Sequence, residues 1–151
     1  LTLNITGFSV KDIFGKSVVV GRASILPYQG RVNNESDIIV SPGSSIYLIE
    51  GVSPIGVSFR VNKCMGLLAQ FQSFYPPLPP FRSDLIQSYA GQAPLPLGFT
   101  YNNCVDIHSS DSDFFSNDWR VYLGTGEMWG ETGDFIRIID SSGQTISSFF
   151  Y

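Results

Sequence analysis

Histidine occurs once in these 151 residues, while cysteine, methionine and tryptophan occur twice each. The lone histidine removes most routes to nucleophilic catalysis, because any Ser/His/Asp or Cys/His pairing would have to use His108. Also missing are a G-x-S-x-G elbow, a Walker loop and a G-x-G-x-x-G in a strand-to-helix setting; Gly124-Thr125-Gly126 reads as a turn. No apolar run approaches the roughly 20 residues that a membrane-crossing helix requires, so no transmembrane segment is read. Charge is sparse as well. Nine Lys and Arg stand against thirteen Asp and Glu, a net of −4. The basic residues are scattered singly and the acidic balance repels a phosphate backbone, which argues against a nucleic-acid partner.

What is present points to strands and turns. Apolar residues make up 43% of the chain, too many for disorder. Gly (15) and Pro (9) are abundant, whereas blocks of Ala, Glu, Lys and Leu at helical spacing are scarce. At this length the chain forms one domain, 1–151, able to bury about two-thirds of its unfolded surface. It opens at Leu1 without Met, which reads as a processed or excised piece of a longer product.

Along the chain, Leu1 to Val10 alternates as a half-buried strand would, with a break at Gly7. Lys11 to Gly15 is a turn and Ser17 to Val20 a second strand. Ile25 to Gly30 carries Pro27 and reads as an edge piece or connector, since proline cannot donate to a ladder. Asp37 to Val40 and Ile46 to Ile49 are strands on either side of the turn Ser41-Pro42-Gly43-Ser44, and Val57 to Val61 is another. The character then changes over an insertion at about 65–99. Met65 to Phe74 fits one or two helical turns. Tyr75-Pro76-Pro77-Leu78-Pro79-Pro80-Phe81 must be extended, a stiff loop expected to cover apolar surface rather than to serve as a proline-rich ligand. A second Pro-bearing loop runs from Ala90 to Gly98. Asn103 to Asp113 is expected to hold a short helix, with Ser109 or Asp111 available for capping. The closing third, from Trp119, reads as a strand, a Gly-rich turn and a hairpin. Its arms are Phe135 to Ile139 and Thr145 to Tyr151, hinged on Asp140-Ser141-Ser142-Gly143.

The candidate sites are few. Cys104 and His108 stand four apart, on one face of any helix that carries them, which is a weak basis for a catalytic dyad. Cys64 and Cys104 show no metal spacing, and a bridge between them would close a loop worth roughly 3–4 kcal/mol in the chain-entropy model; two buried thiols are the alternative. Asp106, Asp111 and Asp113, with Asp118 nearby, are the carboxylates for a Ca2+ test, and Asp111-x-Asp113 has a suitable spacing. The central Gly and terminal Glu of an EF-hand loop are missing, and a solvated loop of capping aspartates is the preferred reading. No cofactor is called for. Trp119 and Trp129 are either core residues or platforms for carbohydrate, with burial the default. Asn4-Ile5-Thr6 and Asn34-Glu35-Ser36 are glycosylation sequons, of a kind that also arises by chance.

The ending, Tyr122-Leu123-Gly124, Trp129, Gly133-Asp134-Phe135-Ile136-Arg137-Ile138-Ile139-Asp140-Ser141-Ser142-Gly143 and Phe150-Tyr151, resembles the lamin-tail domain of prokaryotic surface proteins. Asn4-Ile5-Thr6-Gly7-Phe8-Ser9-Val10 is similar to that family's L-x-G-W-x-L strand, with Phe8 where Trp is usual. Ile39-Val40-Ser41-Pro42-Gly43 follows in the expected order, and Ser53 to Cys64 resembles a subgroup with a long insertion. The resemblance implies an all-β, immunoglobulin-like β-sandwich. It also implies one or two strands ahead of the first motif, where this chain has none, so either upstream residues are absent from this piece or another chain fills the vacant edge.

The expected function is a non-catalytic extracellular or cell-surface module that serves in adhesion or assembly through sheet-edge contacts. Its partners would be other protein chains, copies of itself among them. The alternative is a carbohydrate-binding accessory module of a secreted hydrolase. An enzyme built on His108 is the further rival, and it requires His108 in a cleft within reach of a nucleophile.

Overall fold

The computed structural model describes residues 1–87, 99–124 and 135–150. It is mostly β-strands gathered in sheets, with few helices. The strands are β1 (Leu3–Asn4), β2 (Ser9–Lys11), β3 (Ser17–Val19), β4 (Ala23–Ser24), β5 (Ile39–Val40), β6 (Ser45–Ile49), β7 (Ser58–Asn62), β8 (Phe115–Tyr122), β9 (Phe135–Ile139) and β10 (Thr145–Phe150). A 3-10 helix covers Met65–Gln70, and α1 (Asp84–Gln87) and α2 (Tyr101–His108) follow it.

One four-stranded sheet has the order β10-β9-β2-β3 and is antiparallel throughout. The second has the order β4-β7-β8-β6, in which β7 and β8 are antiparallel while β4 and β6 run parallel to their neighbours. β1 and β5 form a separate antiparallel pair. Local chemistry sets the tight connections. Asp12 Oδ1 accepts from the backbone N–H of Phe14 (2.9 Å) and of Lys16 (2.8 Å), turning β2 into β3. In the closing hairpin Asp140 Oδ1 plays the same part for Ser142 and Gln144, each at 2.9 Å, and Gly143 supplies a φ of +91° that other residues adopt only with strain.

β8 divides the interior. Its side chains alternate, so Trp119 and Val121 enter a core shared by both four-stranded sheets, together with Phe8, Val10, Ile38 and Ile136. Tyr122, on the other face, packs against a second core that holds Phe59, Val61, Met65, Leu68, Phe74 and Phe114. The residues after β7 therefore build a core of their own on the outer face of the second sheet. Phe74 and Leu78 are buried there, as expected of a proline segment laid over apolar surface. Arg120 holds that segment down: its guanidinium donates to the carbonyls of Pro76 and Pro77. The chain passes so close at Gly66 that a Cβ there would collide with the Phe81 backbone.

Two expectations need correction. The helix expected over Asn103–Asp113 begins earlier and stops sooner, because Thr100 and Asn103 form a capping box at its start. Ser109 sits at its C-terminal end and Asp111 lies beyond, so neither caps its N-terminus. β8 starts at Phe115, four residues before the strand start expected at Trp119. Ile25–Gly30 is a connector, one of the two forms expected of it, following the strand Ala23–Ser24, and its Pro27 carbonyl accepts from the Tyr101 hydroxyl at 2.8 Å. Trp129, Gly133, Asp134, Tyr151 and the loop from Ala90 to Gly98 lie outside the described residues.

Candidate binding surfaces

α2 places Cys104 and His108 on its buried face, but not as a dyad. Cys104 is bonded to Cys64, with the two Cα atoms 5.9 Å apart. The bridge sits in a satisfied polar setting: the Cys64 N–H donates to Asn62 Oδ1 (2.9 Å), Asn62 Nδ2 donates to the Tyr101 hydroxyl (3.0 Å), and that hydroxyl donates to Pro27. Burial pushes the Tyr101 phenol well above its usual range. His108 is 4% exposed, with Nδ1 2.8 Å from an Asp111 carboxylate oxygen and Nε2 3.0 Å from the Leu85 carbonyl. Both ring nitrogens are thus engaged by acceptors. The dyad reading is overturned because the sulfur it needs is in a disulfide.

The carboxylates proposed for Ca2+ already surround a cation. Lys63 Nζ lies 2.7 Å from Asp111 and 2.6 Å from Asp113, and Arg82 approaches Asp113 at 3.6 Å. Hydrogen bonds from Lys63, and for Asp111 also from His108, hold both carboxyls below their ordinary range. Burial opposes the charge on Lys63, but Asp111 and Asp113 outweigh it and raise the amine. Asp106 stands apart and accepts from the Tyr28 hydroxyl at 3.4 Å, and Asp118 lies within β8. Among the described residues no group of three or more His, Cys, Asp or Glu is arranged to hold a metal. The ammonium of Lys63 takes the place that the spacing Asp111-x-Asp113 suggested for calcium.

Trp119 is 4% exposed, inside the core between the two larger sheets, and so cannot serve as a platform. Trp129 lies outside the described residues. Asn4 and Asn34 are both exposed; the Asn4 amide nitrogen donates to Asp37 at 3.0 Å and its oxygen accepts from the Thr6 N–H at 3.0 Å.

Two surfaces escaped the sequence reading. The first is β10, the edge of its sheet, exposed at every position and carrying no charge over Thr145–Phe150. Ile146, Phe149 and Phe150 are among its exposed side chains, and Phe150 is 73% exposed. Ile146 also lines an apolar groove of about 320 Å³ whose walls include Leu3, Ile5, Ile46, Leu48 and Ile138. That groove thus reaches from β10 to β6, the edge of the second sheet. The second surface is a cleft of about 500 Å³ between β6 and the proline segment, lined by Tyr47, Tyr75, Tyr122, Pro76, Glu50 and Ser73 among others. Arg120 stacks on the Tyr47 ring, 4.8 Å from its centre, and so orients it. The cleft and the groove have no sequence pattern, because their residues come from segments far apart in the chain, whereas β10 is one contiguous strand whose exposure the sequence does not mark.

No family model matches this chain, and neither a curated protein nor a solved structure matches it. Among the described residues no helix is long and apolar enough to cross a membrane.

Proposed function

We propose that this chain is a non-catalytic module of an extracellular or cell-surface protein, an immunoglobulin-like β-sandwich of the lamin-tail type, that joins other chains through its sheet edge. The observation that carries the reading is β10: an edge strand exposed over its whole length, uncharged, and flanked by an apolar groove. Edge strands of proteins that stay apart are usually blunted by Lys, Pro or a covering element, because unpaired N–H and C=O groups template pairing with another strand. β10 has a register irregularity between Thr145 and Ser147 but no charge or proline. Two larger sheets sharing one core support the sandwich form. The Cys64–Cys104 bridge supports an oxidising compartment. A non-catalytic role is supported by the engagement of His108 with Asp111 and Leu85 and by the ion pairs of Lys63.

The test is sedimentation velocity over a concentration series, with the wild type beside the double variant Ile146→Lys/Phe149→Lys. The wild type is expected to self-associate and the variant to remain monomeric. A wild type that sediments as a monomer at every concentration, indistinguishable from the variant, would sink the reading.

A further inference from the structure

We propose that β10 pairs with β10 of a second copy of this chain, antiparallel about a two-fold axis through Ser148, and so closes a dimer. The inference rests on the edge reading above and adds to it the partner, the register and the limit of two copies.

Strand geometry narrows the register. Facing residues of an antiparallel pair put their side chains on one face, and successive residues alternate between faces. Within the regular stretch Ser147–Phe150, a residue can therefore face only its own copy or a residue an even number of positions away. A two-fold pairing must then be centred on a single residue. Centring on Ser147 sets the register irregularity between Thr145 and Ser147 beside the axis in both strands. Centring on Phe149 or Phe150 leaves the first part of β10 without a partner. Only Ser148 keeps regular strand at the middle and moves both irregularities to the ends.

The side chains agree with that centre. Phe149 stands across from Ile136, a core residue, whereas Phe150 stands across from Phe135 on the opposite face, their ring centres 4.8 Å apart. About Ser148, the partner's Phe149 falls opposite Ser147, a large side chain against a small one. It lies on the face where Ile146 lines the apolar groove, and covers that groove. The two-fold axis makes the exchange reciprocal. On the other face Ser148 meets its own copy. Identical residues must meet at such an axis, where a charge would repel itself and a hydroxyl can both donate and accept.

Charge permits two copies to approach and favours no charged partner. β10 carries no charge, so a strand with Lys or Glu would find nothing opposite in sign along it. Arg137 stands across from Ser148 in β9, and three strand spacings, about 14 Å, would separate it from the partner's Arg137. That exceeds the screening length of about 8 Å at physiological salt. The pairing joins two four-stranded sheets into one and occupies β10 on both copies, so no third copy can add there.

The experiment places one new cysteine at a time on β10 of the full chain: Ser147→Cys, Ser148→Cys and Phe149→Cys. Each is incubated with reduced and oxidised glutathione and run on non-reducing gels, and the linked peptides are mapped by mass spectrometry. In the proposed register the two Cα atoms at Ser148 face each other at about 4.5–5.5 Å, within disulfide reach. Those at Ser147, or at Phe149, are offset along the strands to about 8 Å, which is too far. Ser148→Cys is expected to form a covalent dimer about tenfold faster than either other variant alone. An equimolar mixture of Ser147→Cys and Phe149→Cys is expected to form the mixed dimer, and wild-type sedimentation to stop at two copies. The proposal is overturned if Ser148→Cys stays unlinked while the wild type associates, if either other variant links to itself as fast, or if species larger than a dimer accumulate. In those cases the edge reading survives and this form of it falls, whereas a wild type that stays monomeric removes both.

Discussion

Arg120 Nη2 donates to the carbonyl oxygen of Pro77 at 2.9 Å, across 43 residues of chain. The same guanidinium also donates to Pro76 and lies under the Tyr47 ring. One buried cation on the central strand β8 therefore fastens the proline segment to the outer face of the second sheet. Among the described residues its Nε has no hydrogen-bond partner, and the two carbonyls and the ring offset its desolvation.

Truncating that cation should release the segment. Arg120→Met is expected to cost roughly 2–4 kcal/mol, since two charge-assisted hydrogen bonds are lost and two carbonyls are left behind. Arg120→Lys should fall between the two, because a compact ammonium does not span both carbonyls as the planar fork does. Urea unfolding measures both; an Arg120→Met curve overlying the wild type would refute the clamp.

Acid should loosen the end of α2. The folded-state carboxyls of Asp111 and Asp113 lie below their ordinary value of 3.8, through Lys63 first and, for Asp111, His108 next. A depressed carboxyl contributes stability that is present above the unfolded value and is lost as pH falls through the folded one. Melting temperature is thus expected to drop below about pH 4, and Lys63→Met should both lower it at neutral pH and flatten its acid limb. Differential scanning calorimetry from about pH 2 to 6 reads this slope. Parallel acid limbs in the two proteins would count against the Lys63 pairs.

Removing the disulfide should be felt globally. The bridge spans a sequence separation of 40, for which the chain-entropy model gives about 3–4 kcal/mol. Cys64→Ser/Cys104→Ser is expected to melt roughly 10 °C below the wild type at this chain length. Two free thiols by mass spectrometry of the unreduced wild type would contradict the pairing.

Much of the local structure was legible from residue order alone. Asp140-Ser141-Ser142-Gly143 marks a hairpin because Asp accepts from the backbone two and four residues on and Gly takes the positive φ, and the structure turns there. The strands at Ser17–Val19, Ser45–Ile49, Ser58–Asn62 and Phe135–Ile139 were visible as short apolar or alternating runs. The helix starts two residues before the expected Asn103, because Thr100 and Asn103 form its capping box, and ends five residues before the expected Asp113. The partner of the carboxylates was not legible for a different reason. Asp111 and Asp113 suggest a cation by their spacing, but the cation is Lys63, 48 and 50 residues earlier, and no spacing rule reaches that far.

Composition, turn chemistry and periodicity by themselves determined that this chain makes short strands joined by tight turns, since those properties act between neighbouring residues. Which strand lies at an edge, and which face is left open, came only from the tertiary structure. β10 reads as an ordinary apolar strand; among the described residues only β9 pairs with it, and its side chains are exposed at every position. Trp119 reads as core by default with a platform as the alternative, and the packing of its face of β8 against Val10 and Ile136 of the other four-stranded sheet encloses it. Tyr47, Tyr75 and Tyr122 become one surface because long-range packing, with Arg120 gripping the proline segment, brings distant segments to a single cleft.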